Sequence, residues 1–202
     1  MNTEGIFEQL FGGVSGRESG RRNPITNVAG DDELYHLDIE FKEAVLGSEK
    51  MISLPNGKKL QVKIPAGIEE GQKLKFKGFG GLGIGKGPPG DAYVQISIKK
   101  LPGFQRSGQD ILTDLPISMF EAVSGAEIEV PTIDGSVMLK IPPGVSTGFK
   151  LRIREKGVGS KNMRGSQIVT LNVVMPKEIN PAFRDAINNL SKEFSYSPRT
   201  MR

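Results

Sequence analysis

The strongest constraint in this sequence is that part of it occurs twice. The stretch from Leu60 to Gly80, LQVKIPAGIEEGQKLKFKGFG, returns from Leu139 to Gly157 as LKIPPGVSTGFKLRIREKG. Ile64, Pro65, Gly67, Gly71, Leu74 and Gly80 recur at one constant offset as Ile141, Pro142, Gly144, Gly148, Leu151 and Gly157. Upstream, Glu43, Ala44, Val45 and Gly47 recur at a slightly longer offset as Glu121, Ala122, Val123 and Gly125, and Gly57 recurs as Gly135. Downstream, Gly90 matches Gly165 at a slightly shorter one. Small loop changes shift the spacing of a duplicated unit in this way. Two copies make a tandem pair of domains rather than a solenoid. Each has about 75 residues, near the lower end for independent folding, so each core is lean.

Composition narrows the function classes. Glycine at 26 residues and proline at 13 favour turns and short strands over long helices. There is no cysteine and one histidine, His36, which excludes a structural zinc site, a disulfide framework and a thiol nucleophile. The net charge of +4 is spread without a run of five like charges, so the clustered footprint of a nucleic-acid binder is missing and nucleic acid is not the expected main partner. No apolar run approaches the ~20 residues of a membrane span, and the N-terminus lacks the layout of a signal peptide. The expectation is a cytoplasmic protein with no membrane partner, no metal and no cofactor.

Residues 1–30 open with IFEQLF and continue as Gly, Ser, Arg and Asn with little to bury, which reads as a flexible linker. From Glu33 the pattern has period two, with Tyr35, Leu37, Ile39 and Phe41 to one side and His36, Asp38 and Glu40 to the other. A helical turn KEAVLG follows, then Lys50, Ile52 and Leu54 alternate up to Pro55-Asn56-Gly57. Asn-Gly there predicts a type I′ hairpin turn, with positive φ at both central residues. Leu60, Val62 and Ile64 form the return strand, Leu74 and Phe76 the next, and AYVQISI at 92–98 the last, giving a small antiparallel β unit. The second unit repeats the order: ILTDLPI at 111–117, FEAVSG, Ile128 and Val130, a turn at Asp134-Gly135, Val137 to Ile141, Leu151 and Ile153, then QIVTLNVV at 167–174. A final helix starts at Asn180 as N-cap and Pro181 as first position, with Phe183, Ile187, Leu190 and Phe194 on one stripe. That stripe packs either on its own domain or on a second copy.

The glycine loop holds two phosphate-loop look-alikes, Gly78–Gly83 as G-x-G-x-x-G and Gly80–Lys86 as G-x-x-x-x-G-K. Neither fits its chemistry. A dinucleotide loop must open a helix, and this one runs into Gly87-Pro88-Pro89-Gly90; a P-loop needs Ser or Thr after its lysine, and Gly87 stands there. Asp31-Asp32-Glu33 reads as a solvated boundary. Glu69-Glu70 has Ser146-Thr147 as counterpart, so the duplicated unit does not need those carboxylates. No nucleophile–base arrangement can be assembled, and the chain is not expected to be an enzyme.

Read together, EFKEAVLGSEKMISLP, KLQVKIPAGIEEGQKLKFKGFG, GPPGD-aromatic at 87–93, Phe104-x-Arg106-x-Gly108-x-Asp110, PISMFEAVSGAEIEVPTIDG and LKIPPGVSTGFKLRIREKG, in this order, closely resemble the C-terminal substrate-binding region of DnaJ-type co-chaperones. The resemblance covers roughly 33–195, and IFEQLFGG is similar to the end of that family's Gly/Phe segment. It implies a mainly β fold of two tandem β-sandwich-like domains, 31–102 and 103–176, after a 1–30 linker and before a dimerising helix and tail at 177–202. It implies binding of unfolded polypeptide clients in partnership with a DnaK-type ATP-driven chaperone. By alignment, the client groove would be lined by Tyr35, Leu37, Ile52, Leu54 and Val94, with Lys50 where some relatives meet an acidic tail of the partner chaperone; Phe183, Ile187, Leu190 and Phe194 would join a homodimer.

Two departures stand out. The J domain with its His-Pro-Asp signature is absent, so the chain itself is not expected to stimulate a partner's ATPase. The cysteine-rich zinc module is replaced by the bare turn at Pro55-Asn56-Gly57, as in the zinc-free subclass. Gly165-Ser166-Gln167 also stands where the family has Gly-Asp. Two other classes compete: a dimeric scaffold without client binding, and a DNA-associated protein using Arg17, Arg21 and Arg22 of the linker.

Overall fold

The computed structural model describes residues 27–160, 163–194 and 196–199. The expected linker, with IFEQLF, Arg17, Arg21 and Arg22, lies outside the described residues except for 27–30. The elements run β1 (Glu33–Ile39), α1 (Phe41–Leu46), β2 (Ser48–Ser53), β3 (Lys59–Ile64), β4 (Lys73–Phe76), β5 (Ala92–Ile98), β6 (Gln105–Ser107), β7 (Asp110–Ser118), α2 (Met119–Ser124), β8 (Ala126–Thr132), β9 (Gly135–Ile141), β10 (Lys150–Ile153), β11 (Gln167–Val174) and α3 (Pro181–Glu193). The fold is mainly β, and the duplication is visible in the sheet orders. The first repeat has β1-β5-β4 and the hairpin β2-β3; the second has β10-β11-β7, extended by β6, and the hairpin β8-β9. Among the described helices none is long and apolar enough to cross a membrane.

Of the described residues, those up to Leu34 and from Lys75 to Tyr93 form one compact unit, and those from Tyr35 to Leu74 and from Val94 onward form the other. The smaller is the glycine loop folded on the segment that leads into β1. Here glycine is needed because backbone lies on backbone: a Cβ on Gly90 would overlap the Asp31 carbonyl, and one on Gly87 the Val28 carbonyl. The N–H groups of Gly80, Gly81, Ile84, Gly87 and Gly90 all donate to backbone carbonyls. These five donors are therefore not free for a phosphate.

The larger unit has its core in the second repeat between the four-stranded sheet and the β8-β9 hairpin. Ile117, Ala122, Val130, Ile141, Ile153, Val169 and Leu171 form it. The twins Ile39, Ala44, Ile64, Val94 and Ile96 are equally buried in the first repeat. Both short helices carry a capping box, Glu40 with Glu43 and Ser118 with Glu121, which satisfies N-terminal N–H groups otherwise left open. A second cluster joins the repeats: Val45 of α1 packs with Ile111, Ile133 and Val158, and Phe41, Leu46 and Phe104 surround them.

Three expectations are corrected. The second repeat is not wholly antiparallel, because β11 pairs parallel with β7 from Gln167↔Ile111 to Val174↔Ser118. The chain leaves β7, returns through the β8-β9 hairpin and β10, and so enters β11 in the direction of β7. The turn after β2 is not type I′: Gly57 has φ +78, but Asn56 is not among the residues with positive φ. Pro55, with φ fixed near −65°, is the first corner residue, the Gly57 N–H donates to Leu54, and Gly57 then takes the left-handed position of a three-residue hairpin loop. The β8-β9 turn is centred on Ile133-Asp134, and Ile133 is buried in the joining cluster rather than spent on a loop.

A candidate polypeptide-binding site on two edge strands

The four half-buried residues of the expected groove come from β1 and β2. On β1, Tyr35 and Leu37 are half-buried while His36 and Asp38 between them are exposed; on β2, Lys50 and Ile52 are half-buried between exposed Glu49, Met51 and Ser53. Depth explains the partial burial. β1 and β2 are each an edge strand of their sheet. Ile52 and Lys50 stand opposite Leu60 and Val62 of β3, which are fully buried. β3 is equally an edge of that two-stranded sheet, so edge position alone does not set the depth; Lys50 and Ile52 are the shallower members of the face they share with Leu60 and Val62.

The remaining two members of that groove lie elsewhere. Leu54 is 4% exposed, just past the end of β2, and Val94 is 0% exposed on β5, the middle strand of its sheet. Both are core positions, which corrects their place in an open lining. Alternation told which side they faced and not how deep they lay.

Lys50 does not stand alone. Its ammonium meets the Glu43 carboxylate at 2.7 Å, and the same carboxylate accepts the Glu40 N–H at 2.7 Å. Glu40 in turn pairs with Lys99 at 3.0 Å. Burial pushes the Glu43 carboxyl up, but the Lys50 hydrogen bond, the Glu40 N–H and the charges of Lys50 and Lys99 outweigh it and hold it below the usual range. Lys50 is thus already paired with a carboxylate of its own chain. Glu43 is not among the expected groove residues, although its capping-box spacing from Glu40 is readable in the sequence.

Elsewhere the repeats show which carboxylates matter. Glu70 accepts the Ile98 N–H at 2.7 Å, and its twin Thr147 accepts the Val173 N–H at 3.0 Å. The position needs an acceptor oxygen rather than a charge. A set of loop hydrogen bonds also recurs between Gly80–Asp91 and Gly157–Ser166. Asp32 accepts the Asp91 N–H at 2.7 Å as Asp110 accepts that of Ser166 at 2.7 Å; Gly80 donates to Gly90 as Gly157 does to Gly165; and Gly81–Asp31, Gly90–Gly81 and Glu33–Asp91 have counterparts in Val158–Gln109, Gly165–Val158 and Ile111–Ser166. The difference is at Ser166. Lys75 pairs with Asp91 at 2.9 Å, whereas its twin Arg152 donates Nε–H to the Ser166 hydroxyl at 2.7 Å. Lys75 and the Gly78 N–H hold the Asp91 carboxyl below its usual range, and Asp91 with Tyr93 raises Lys75.

α3 begins as expected, with the Phe183 N–H donating to Asn180 Oδ1 at 2.7 Å. Phe183 and Ile187 are half-buried, Leu190 and Phe194 are exposed, and no residue of the helix is fully buried. Phe183 meets Phe120 edge-on, with ring centroids 6.3 Å apart. Among the described residues no group of three or more His, Asp or Glu side chains is placed to hold a metal ion.

A family model described as the DnaJ C terminal domain matches residues 34–176. A protein of Coxiella burnetii (strain RSA 493 / Nine Mile phase I) named Curved DNA-binding protein is 32% identical over 207 residues, covering 96% of this chain and 66% of that protein. A Chaperone protein DnaJ of Halalkalibacterium halodurans is 29% identical over 261 residues of alignment, covering 93% of this chain and 70% of the relative. Another of Clostridioides difficile (strain 630) is 41% identical over 138 residues, covering 67% and 36%. The chain thus spans about two thirds of the length of the first two.

Proposed function

The chain belongs to the DnaJ C-terminal domain family, and from that premise we propose that it binds non-native polypeptide along the edge strands β1 and β2. The observation that supports this reading is the alternation of half-buried Tyr35, Leu37 and Ile52 with exposed polar neighbours on two sheet edges, beside Lys50. Apolar client side chains would cover Leu37 and Ile52, each worth ~1.5–3 kcal/mol when fully removed from water. Main-chain bonding along a strand edge tolerates many sequences, as a holder of unfolded chains requires. Ordering and association consume much of a two-anchor contact, so one site binds weakly. A homodimer through Phe183, Ile187, Leu190 and Phe194 would offer two sites to one client and raise avidity without new contacts. In this reading the chain acts in the cytoplasm with a DnaK-type chaperone, to whose acidic tail Lys50 responds, and performs no chemistry of its own.

The test is aggregation of a model unfolded client with rising amounts of the chain alone, without ATP or partner chaperone. Suppression near stoichiometric amounts supports the reading. No suppression by a folded, dimeric sample moves the function to that of a scaffold.

A second reading has one observation in its favour: the name Curved DNA-binding protein of similar proteins. Duplex binding whose affinity falls steeply with salt would support it.

A further inference from the structure

The duplication allows each position to be compared with its twin, and the difference at Ser166 has an electrostatic side. On β4 and just past it the first repeat carries Lys73, Lys75 and Lys77; at the twin positions the second carries Lys150, Arg152 and Arg154. All six are exposed. In the first repeat the middle cation is neutralised, since Lys75 pairs with Asp91 at 2.9 Å. In the second, Ser166 replaces that aspartate, and Arg152 Nε–H meets its hydroxyl at 2.7 Å. A hydroxyl in place of a carboxylate keeps the hydrogen bond and leaves the guanidinium charge uncompensated. Among the described residues none of Lys150, Arg152 and Arg154 has a carboxylate partner.

A search for runs of like charge passes over this cluster, because a strand turns alternate residues to opposite faces. Lys150, Arg152 and Arg154 share one face, while Leu151 is half-buried and Ile153 buried on the other. At ~3.3 Å per residue the cations stand about 6.6 Å apart. Between Lys150 and Arg164 the chain carries six Lys and Arg against one Glu, a net +5 that exceeds the +4 of the whole chain. Of the others, Lys156 and Arg164 are occupied by Asp134, at 3.1 and 2.7 Å. The next strand, β11, is uncharged on this face: Thr170 is the register partner of Lys150, and Asn172 follows it. The first acid across the sheet is Asp114 on β7, beyond Thr170.

We infer that this face of β10 is a contact surface for a phosphate backbone, and that its ligand is duplex DNA. This rests on the duplex-binding reading above and supplies that reading with a surface. One strand of a duplex offers a charge every ~3.4 Å of axis, so a cation every ~6.6 Å meets alternate phosphates. Thr and Asn beside Lys and Arg are donors that position a backbone without reading bases, so the contact is indifferent to sequence. An acidic polypeptide carries the same sign of charge, but it must first be ordered to present carboxylates at that spacing; a duplex is already rigid.

The test is anisotropy of a labelled duplex across a salt series, with the full chain and its variants. For three contacts per chain, log affinity falls against log salt with a slope of about −2.7. Lys150→Gln with Arg154→Gln, both at exposed positions, should flatten that slope by about 1.8. Ser166→Asp, which restores beside Arg152 the carboxylate of the first repeat, should flatten it by about 0.9, alike for unrelated duplex sequences. Lys59→Gln with Lys63→Gln on β3, an equal loss of charge elsewhere, should leave it unchanged. Circular dichroism melts show that each variant is folded. Duplex binding with the same slope in both stripe variants overturns the surface and leaves the duplex-binding reading standing. No duplex binding by the unaltered chain at low salt overturns both. Polyglutamate held more tightly than the duplex, through the same cations, gives the face to an acidic polypeptide and overturns the partner named here.

Discussion

Ile52→Asp and Val94→Asp should separate binding from folding. Both positions were expected on the groove, yet one is half-buried on an edge strand and the other fully buried on a middle strand. Full burial of an isoleucine is worth ~1.5–3 kcal/mol, so a half-buried one on β2 costs about 1–1.5 kcal/mol of stability when removed. The new carboxylate at 52 can turn to water. At Val94 it cannot, and an unpaired buried charge costs several kcal/mol, comparable with the whole ~5–15 kcal/mol margin of a small domain. Circular dichroism melts should therefore show Ile52→Asp folded with a lowered midpoint and Val94→Asp largely unfolded. Anisotropy of a labelled apolar unfolded peptide should show Ile52→Asp weakened roughly ten- to hundredfold, the equivalent of one lost anchor. Met51→Asp is the control. Met51 points to the opposite, exposed face of β2, so its binding should stay within about twofold. Unchanged peptide affinity in a folded Ile52→Asp chain would refute the groove, and an unfolded one would show that Ile52 is core.

Further outcomes follow from the repeat comparison. Gly165→Ala should cost about 3 kcal/mol, since its Cβ would overlap the Gln109 carbonyl and pry open the loop bonded through Gly157 and Ser166; a melting midpoint within about 2 °C of the parent would contradict this. Ser166→Asp should stabilise by up to ~1 kcal/mol by giving Arg152 the partner Lys75 already has, and a loss on thermal melting would show that the buried carboxylate costs more than the pair returns. Asp134 accepts from Arg164 at 2.7 Å, Lys156 at 3.1 Å and Thr132 at 3.0 Å; burial pushes its carboxyl up, and these three partners pull it well below the usual range. A depressed folded pKa stabilises above the unfolded value of about 3.9 and loses that contribution as pH falls toward the folded one. Asp134→Asn should therefore be less stable than the parent at neutral pH, with a gap that narrows steadily below about pH 4, measured by urea unfolding; parallel curves at all pH would mean the network is idle.

The strands were legible because their apolar residues alternate and the duplication shows each pattern twice. The Asn180–Pro181 start of the last helix was legible for a chemical reason, an acceptor side chain followed by a residue with no N–H to satisfy. What failed was depth and direction. Leu54, Val94 and Ile52 look alike in an alternating string; strand order puts Val94 on a middle strand, and Leu54 differs from Ile52 only in the depth its tertiary neighbours give it. The parallel run of β11 beside β7 depends on a long path through two hairpin strands and β10, which local pattern does not encode. Ile133 stands next to the expected Asp134-Gly135 turn and is core, because what it packs against lies in distant stretches of the sequence. Lys50 and Glu43 were each visible, but their meeting at 2.7 Å needs α1 and β2 to be placed first.

The parallel pairing has a consequence for the chain as it is made. Ile111 of β7 waits for Gln167 of β11, its register partner far along the chain, and until then only the short strand β6 can pair with β7. At ribosomal speeds of ~5–20 residues per second the wait lasts about 3 to 11 s, during which the edge of β7 that pairs with β11 has no strand beside it. The hairpin β8-β9 closes locally and cannot supply the missing edge, since its register is internal. A protein proposed to hold unfinished chains is, on the ribosome, an unfinished chain of the kind that needs holding.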